Sequence, residues 1–247
     1  MLIKTVIMGT GRMGSLIRST AEAMHDTAEQ PVFQIVAQIG FDLSELATAP
    51  AADVIIDFSN VVTFDAVEAY VKRTGCALVS GTTGYSEEQL ARLRELGEHA
   101  RVMHSGNYSI GVAALRHLVA QATRELPGFD CEIVETHHNK KVDAPSGTAN
   151  MLLDAVIGSE SEPGYHPVYG REGMCGERTQ KEIGMHSLRG GTVAGVHTVS
   201  FFGQDEEVSL THRATSRQIF VNGALAAAQK LVTREPGFYT FDQIMFE

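Results

Sequence analysis

The sequence predicts an α/β protein, with a Rossmann-type doubly wound parallel sheet and a second α+β domain on a mostly antiparallel open sheet. Three observations carry this expectation. Short β-type apolar runs alternate with helix-like stretches through the first half, as in βαβ units. A glycine turn, Gly9-Thr10-Gly11-Arg12-Met13-Gly14, joins the first such run to the first helix-like stretch. Beyond Gln180 the runs change character and alternate polar with apolar residues, as in a sheet covered on one face.

In order, strands are expected at Ile3–Met8, Phe33–Ile39, Val54–Asp57, Ala77–Ser80 and Val102–His104. Helices are expected between them at Arg12–Met24, Thr63–Lys72 and Ser86–Leu96, the last opening Ser86-Glu87-Glu88-Gln89 like a capping box. A helix-like stretch, Ile110–Arg124, then precedes a strand at Asp130–Thr136 and a helix from Gly147, which carries Ala149, Leu152, Leu153 and Val156 on one face. Gly158–Gln180 has no sustained apolar period and is expected to be a long loop. Strands at Glu182–Leu188, Val196–Phe202 and Glu207–Thr211 and a helix at Gln218–Val232 complete the chain.

The 247 residues suit one or two domains, and 43% hydrophobic with 20% charged residues is enough for a buried core. A net charge of −10 argues against a nonspecific grip on nucleic acid or on an anionic membrane, since both need an electropositive face. Any anionic ligand must be held locally. Cys76, Cys131 and Cys175 are widely spaced and form no CxxC pair, which suggests neither a disulfide framework nor a cysteine metal site and fits a reducing cytoplasm. The apolar start, Leu2 to Met8, runs straight into glycines and reads as a strand rather than a signal.

The glycine turn has a mechanism where it stands. Backbone without side chains can approach a pyrophosphate, and a helix start offers unpaired N–H groups with partial positive charge. An NAD site usually places an acid at the end of the second strand to bind the ribose hydroxyls. Here that strand ends Gln38-Ile39-Gly40-Phe41, the nearest acid is Asp42, and Arg12 could meet a 2′-phosphate. NADH and NADPH both stay open, with a lean to NADPH or dual use. A second turn, Ser80-Gly81-Thr82-Thr83-Gly84, is either strand punctuation or a wall of the nicotinamide site.

The segment Glu132 to Ala149 is the richest in chemistry. His137, His138, Lys140 and Lys141 lie within five positions and lead into a Pro145-Ser146-Gly147-Thr148 helix start, so cations and helix amides together can gather carboxylates. Histidine can also deliver a proton near neutral pH. A metal is a poorer reading, because adjacent histidines point apart in a strand and no third ligand stands nearby in sequence. A solvated basic loop is the bland alternative.

This segment resembles, at every fixed position, the signature E-[IV]-x-E-x-H-x-x-x-K-x-D-x-P-S-G-T-A of the dihydrodipicolinate reductase family. Gly11-Arg12-Met13-Gly14, Asp57-Phe58-Ser59, Gly81-Thr82-Thr83-Gly84, Asn107-Tyr108-Ser109-Ile110-Gly111 and Arg189-Gly190-Gly191 also resemble family landmarks, so the likeness spans nearly the whole chain. The end of the second strand departs from family versions with an acid followed by arginine.

The resemblance implies a dinucleotide-binding domain over 1–108 and 217–247, with a substrate-binding and oligomerisation domain over 109–216. It implies a cytoplasmic homotetramer that reduces 4-hydroxy-tetrahydrodipicolinate, a small cyclic dicarboxylate, with NADPH or NADH in lysine and diaminopimelate biosynthesis. His137 is then the acid that protonates the ring carbon next to hydride attack, and Lys141 steadies the developing charge. His138 touches substrate, while Gly147 and Thr148 hold a carboxylate. Gly9, Gly11, Arg12 and Met13 line the pyrophosphate turn. Gly81, Thr82, Thr83, Ser105, Gly106, Asn107 and Tyr108 frame the nicotinamide. With the two sites on different domains, a hinge closure is expected. The rival readings are another two-domain dehydrogenase sharing only the glycine turn, and a nucleotide sensor that has lost its chemistry.

Overall fold

The computed structural model describes residues 1–247, whose contacts gather into two units, Met1–Ile110 with Gln218–Glu247, and Gly111–Arg217. In the first unit the chain runs β1 (Ile3–Met8), α1 (Arg12–Glu22), β2 (Phe33–Ile39), α2 (Ser44–Thr48), β3 (Val54–Asp57), α3 (Phe64–Thr74), β4 (Ala77–Ser80), α4 (Glu87–Leu96) and β5 (Arg101–His104). The second unit holds α5 (Ile110–Glu125), β6 (Asp130–His137), α6 (Gly147–Ile157), β7 (His166–Tyr169), β8 (Glu182–Arg189), β9 (Gly195–Gly203) and β10 (Glu206–Ala214). The chain returns to the first unit with α7 (Gln218–Leu231), β11 (Gly237–Tyr239) and α8 (Phe241–Phe246).

All strands of the first sheet are parallel, in the order β11-β5-β4-β3-β1-β2. Such a sheet is covered on both faces, which is why its strands are continuous apolar runs. Val6, Met8, Ile55, Leu78 and Val102 pack with Phe64, Val67 and Val71 of α3 and Leu93 of α4. Ile7, Ile56, Val79 and Met103 are equally buried, and α7 lies against β3, β4 and β5. A Cβ at Gly223 of α7 would stand 1.7 Å from the Tyr108 carbonyl oxygen, so this close approach needs glycine. At α4 the expected capping box is present, with Ser86 and Gln89 bonding each other's backbone N–H groups.

The order places the switch point between β1 and β3, where the chain first leaves for opposite sides of the sheet. In open α/β sheets, ligands bind in the crevice beyond the strand ends at that point.

The second sheet runs β10-β9-β6-β8-β7 and is mixed rather than mostly antiparallel. β10/β9 and β9/β6 are antiparallel, whereas β6/β8 and β8/β7 are parallel. Alternating polarity reports a half-covered face and carries no information on strand direction, so the sequence could not distinguish the two. One face packs Cys131, Ile133, Ile183, Met185, Val199 and Phe201 against Leu115 and Val119 of α5 and Leu152 and Val156 of α6. Glu135 and His137 continue the same period-2 face of β6 and are buried with it.

Four elements lie where none was expected. β7 forms inside the long loop, α2 follows β2, and β11 with α8 closes the chain. β7 and β11 have four and three residues, too few to display a period, and they exist through pairing with β8 and β5.

Candidate functional site

In the first unit the glycine turn fits a bound dinucleotide. Gly9 is buried with φ +116°, and a Cβ there would lie 2.7 Å from the Phe58 carbonyl oxygen. A Cβ on Gly14 would lie 2.1 Å from the Gly9 carbonyl oxygen, so strand and helix meet at backbone distance. Gly11, the N-cap of α1, has nothing within 4 Å of its missing Cβ, which leaves open space for a ligand at the helix start. A cavity of about 450 Å³ is lined here by Gly9, Thr10, Gly11, Gly40, Phe58 and Asn60, among others, at the switch point. Arg12 is exposed and Met13 half-buried beside it.

The loops after β3 and β4 are joined by one buried carboxylate. Asp57 accepts from Thr82 Oγ1 at 2.9 Å, Tyr85 OH at 3.1 Å and the Ser59 hydroxyl. Burial pushes its carboxyl above the usual range, against the pull of the bonds from Ser59, Thr82 and Tyr85. Thr82 Oγ1 also accepts from Ser59 N at 3.1 Å, so that hydroxyl is spent inside the protein and only the backbone of Thr82 can face a cofactor. Thr83 is exposed. A Cβ on Gly81 would stand 2.4 Å from the Phe58 ring.

After β5, Ser105 Oγ bonds the Asn107 carbonyl at 2.7 Å, and Asn107 Oδ1 accepts from Ser109 N at 2.8 Å. Gly106 faces open space. Tyr108 is 1% exposed and donates its OH to the Ser80 carbonyl at 2.7 Å, so its ring supports the wall from within.

The second unit carries the titratable cluster. His137 Nδ1 lies 2.5 Å from Glu135 Oε2. Glu135 is fully buried and receives both guanidinium nitrogens of Arg189, at 2.9 and 2.7 Å, and Ser146 N at 3.3 Å. Burial works to raise the Glu135 carboxyl, but the bonds from Arg189 and His137 overcome it and carry it down to about 2. Glu135 is therefore an anion at neutral pH, and His137 must donate at Nδ1, which leaves Nε2 as the nitrogen able to give or take a proton.

His197 of β9 stacks edge-to-face on His137 with ring centres 5.1 Å apart. Its Nε2 shares a 3.0 Å hydrogen bond with Ser146 Oγ, and its Nδ1 is buried without a partner. Burial and the neighbouring His137 hold its pKa down to about 4, so it stays neutral.

Ser146 caps α6 by accepting from Ala149 N at 3.2 Å. The first amide to reach an intrahelical carbonyl is Asn150, bonded to Ser146 O, so Gly147 and Thr148 stand ahead of it at the positive end of the helix. Half-buried His138 adjoins this region. Lys141 Nζ lies between the Asp143 oxygens at 2.8 and 2.9 Å, so its charge is matched locally.

The expectation that no third metal-capable group stands nearby is corrected: Glu135 lies two positions before His137 in sequence, and His197 joins them in space. Glu135, His137 and His197 bring ligand atoms within 4.8 Å of one another. Arg189 already occupies both Glu135 oxygens, and its positive charge opposes a cation there.

These groups imply acid lability. Glu135 falls to about 2 from an ordinary 4.5, so its contribution, on the order of 3 kcal/mol, is complete above about pH 5 and lost as pH drops toward 2. His197 falls to about 4 from 6.5, so below about pH 6.5 the unfolded chain takes up a proton the fold refuses. Both act in one direction. The thermal midpoint is expected to fall steadily between pH 7 and pH 3 in a calorimetric series. A flat profile there would contradict these assignments.

Family models described as dihydrodipicolinate reductase N-terminus and C-terminus match residues 3–108 and 111–245. A protein named 4-hydroxy-tetrahydrodipicolinate reductase from Brachyspira hyodysenteriae is 38% identical over 246 residues, covering 98% of this chain and 100% of that one. One of the same name from Staphylococcus aureus is 44% identical over 200 residues, 81% of each. Among solved structures, a dipicolinate-bound dihydrodipicolinate reductase from Paenisporosarcina sp. TG-14 superposes with a TM-score of 0.75 at 23% identity over all of both chains. GenD2 of gentamicin A biosynthesis, in complex with NAD, shares the fold at TM-score 0.57 and 13% identity, over 98% of this chain and 90% of that one.

Proposed function

The chain belongs to the dihydrodipicolinate reductase family, and on that premise we propose that it reduces 4-hydroxy-tetrahydrodipicolinate to tetrahydrodipicolinate with NADH or NADPH, in lysine and diaminopimelate biosynthesis. The observation that carries this reading is the buried Glu135–His137 pair beside the amide-rich start of α6. It sets a proton source next to an anion-binding helix end.

In this reading Gly147 and Thr148 hold one ring carboxylate on the helix start, and His138 adds a contact. Lys141 shares its charge between Asp143 and the substrate, steadying the negative charge that develops on the ring. His137 Nε2 gives a proton to the ring carbon adjacent to hydride attack. The residues of the glycine turn, Gly9, Gly11, Arg12 and Met13, hold the pyrophosphate. The loops Gly81–Thr83 and Ser105–Tyr108 flank the nicotinamide, chiefly through backbone. When bound, the reduced nicotinamide supplies the hydride.

Cofactor choice rests on the end of β2. Gly40 stands where an acid would bind the ribose, and Asp42 spends its Oδ1 on Ser44 N and Oγ at 3.0 and 2.6 Å. This supports dual use with a lean to NADPH. The test is a steady-state assay on enzymatically generated substrate, run with NADH and NADPH in parallel. Substrate-dependent oxidation of either supports the activity, and none with both overturns it.

Lys141→Ala is expected to raise the substrate KM about tenfold, in line with one lost charge-assisted hydrogen bond, with an unchanged thermal midpoint. Full substrate affinity in that variant would remove Lys141 from the site.

No helix is long and apolar enough to cross a membrane. On the face of the second sheet opposite α5 and α6, Leu188 and Phe202 are 53% and 40% exposed. We read this face as the one a homotetramer of a cytoplasmic enzyme would bury between copies, and the acidic net charge agrees with a protein that binds neither nucleic acid nor membrane.

A further inference from the structure

The β8 end and the loop after it grip the segment His137–Asp143 at several points. Gly190 N donates to the His137 carbonyl at 2.9 Å, and Asn139 N donates to the Gly191 carbonyl at 3.2 Å. Arg189 reaches further. Its guanidinium chelates Glu135, the carboxylate that holds His137 Nδ1, and its Nη2 also donates to the Asp143 carbonyl at 2.8 Å. Asp143 in turn holds Lys141. One side chain thus connects the supports of both residues assigned to the chemistry.

We propose that Glu135 and Arg189 are positioning residues for the proton donor: Glu135 fixes the tautomer and aim of His137, and Arg189 tempers the hold of the Glu135 carboxylate on the imidazolium while anchoring the Lys141 loop. The inference rests on His137 being the proton donor.

The physical case begins with charge. A lone buried carboxylate against an imidazole favours the imidazolium and makes it a reluctant acid. Bidentate pairing with a guanidinium nearly neutralises that carboxylate but leaves its lone pairs directed at Nδ1. The imidazole is then held in one orientation without being trapped as a cation. Proton transfer from Nε2 to the ring carbon leaves a neutral imidazole still donating Nδ1–H to Glu135, and Nε2 is recharged from water.

The charged and titratable groups around His137 are Glu135 on β6, Arg189 on β8, His197 on β9 with His212 of β10 behind it, and Lys141 with Asp143 in the loop. His197 is neutral at the working pH, and Lys141 and Asp143 offset each other. Glu135 and Arg189 are therefore the two groups whose removal changes the field at His137 most. A Cβ on Gly195 would come within 3.1 Å of His137 Nε2, so the absent side chain keeps that nitrogen accessible.

The test compares Glu135→Gln and Arg189→Met with the wild type in kcat and KM across pH, using the full-length enzyme and saturating NAD(P)H. A general acid loses activity as pH rises through its pKa, so the alkaline limb of kcat reports the proton donor. Glu135→Gln is expected to lower kcat about 10²–10⁴-fold, as when a carboxylate orienting a catalytic histidine is replaced by an amide, and to move the limb about one pH unit down, with substrate KM nearly unchanged. Arg189→Met is expected to move the limb up by about one pH unit and, by freeing the Lys141 loop, to raise substrate KM as well.

Proton NMR gives a readout independent of turnover, because the His137 Nδ1 proton should be strongly downfield in the wild type and absent from that position in Glu135→Gln. Should a single variant fold poorly, the charge-neutral pair Glu135→Gln with Arg189→Met restores a buried site without unpaired charge. NADH binding then shows whether the first unit remains folded. Loss of kcat in Glu135→Gln with pH profiles of both single variants superimposable on the wild type would mean a merely structural role and overturn the proposal, as would undiminished kcat in Glu135→Gln or an unshifted limb in Arg189→Met. His137→Ala, run alongside, separates the two claims, since full activity there removes the donor itself rather than its positioning.

Discussion

Replacing His137 by alanine is expected to lower turnover about 10²–10⁴-fold while leaving NAD(P)H affinity near the wild-type value. The size follows from what is removed. His137 Nδ1 is held by a carboxylate that stays ionised down to about pH 2, so Nε2 is the one free imidazole nitrogen and its loss leaves proton delivery to water. Affinity for the cofactor should persist because every residue proposed to hold it belongs to the unit Met1–Ile110. Pre-steady-state traces on stopped flow separate the two quantities. Turnover within a few-fold of wild type would exclude His137 as the proton donor.

The second large effect is expected at the glycine turn, where two substitutions should behave differently. An alanine Cβ at Gly14 would lie 2.1 Å from the Gly9 carbonyl oxygen and 2.7 Å from its carbon, both backbone atoms that cannot step aside. β1 and α1 must spread, at a stability cost of about 1–3 kcal/mol. A turn displaced on the scale of an ångström should weaken NADH binding by about 10²-fold. At Gly11 an added Cβ meets nothing within 4 Å, so Gly11→Ala should fold normally. It should nevertheless bind NADH poorly, because the pyrophosphate itself needs that space. Fluorescence titration of both variants checks the pair. Wild-type affinity in Gly11→Ala would move the pyrophosphate away from this turn.

Much of the first unit was legible because buried parallel strands announce themselves as uninterrupted apolar runs. Ile3–Met8, Phe33–Ile39, Val54–Asp57 and Ala77–Ser80 form strands at the residues expected from sequence. Elements of three to five residues, α2, β7 and β11, are too short for periodicity and depend on their neighbours. The direction of β8 was hidden for another reason, since parallel and antiparallel neighbours show the same alternation when one face is covered.

Of the candidate site, the residue types were legible and the supports were hidden. His137, Lys141, Gly147 and Thr148 stand in one short segment, whose residue types alone suggest a carboxylate site with a proton source. Arg189 and His197 come from strands far along the chain and meet that segment only through the pairing of β6 with β8 and β9. The i, i+2 spacing of Glu135 and His137 on one strand is the signal that could have found their pairing, because alternate residues share a face. Asp57 is comparable: a carboxylate ending an apolar strand, its oxygens accept from hydroxyls of Ser59, Thr82 and Tyr85, and the last two stand on a loop that sequence spacing does not link to it.

The central claim is that the segment from His137 to Thr148 receives a doubly anionic ring, one carboxylate on the start of α6 and the reacting carbon within reach of His137. A crystal structure with pyridine-2,6-dicarboxylate and NADH measures this most directly. A carboxylate accepting from Gly147 N and Thr148 N, with the ring near His137 Nε2, is the expected result. A fully occupied ring bound elsewhere, with those amides solvated, would contradict it.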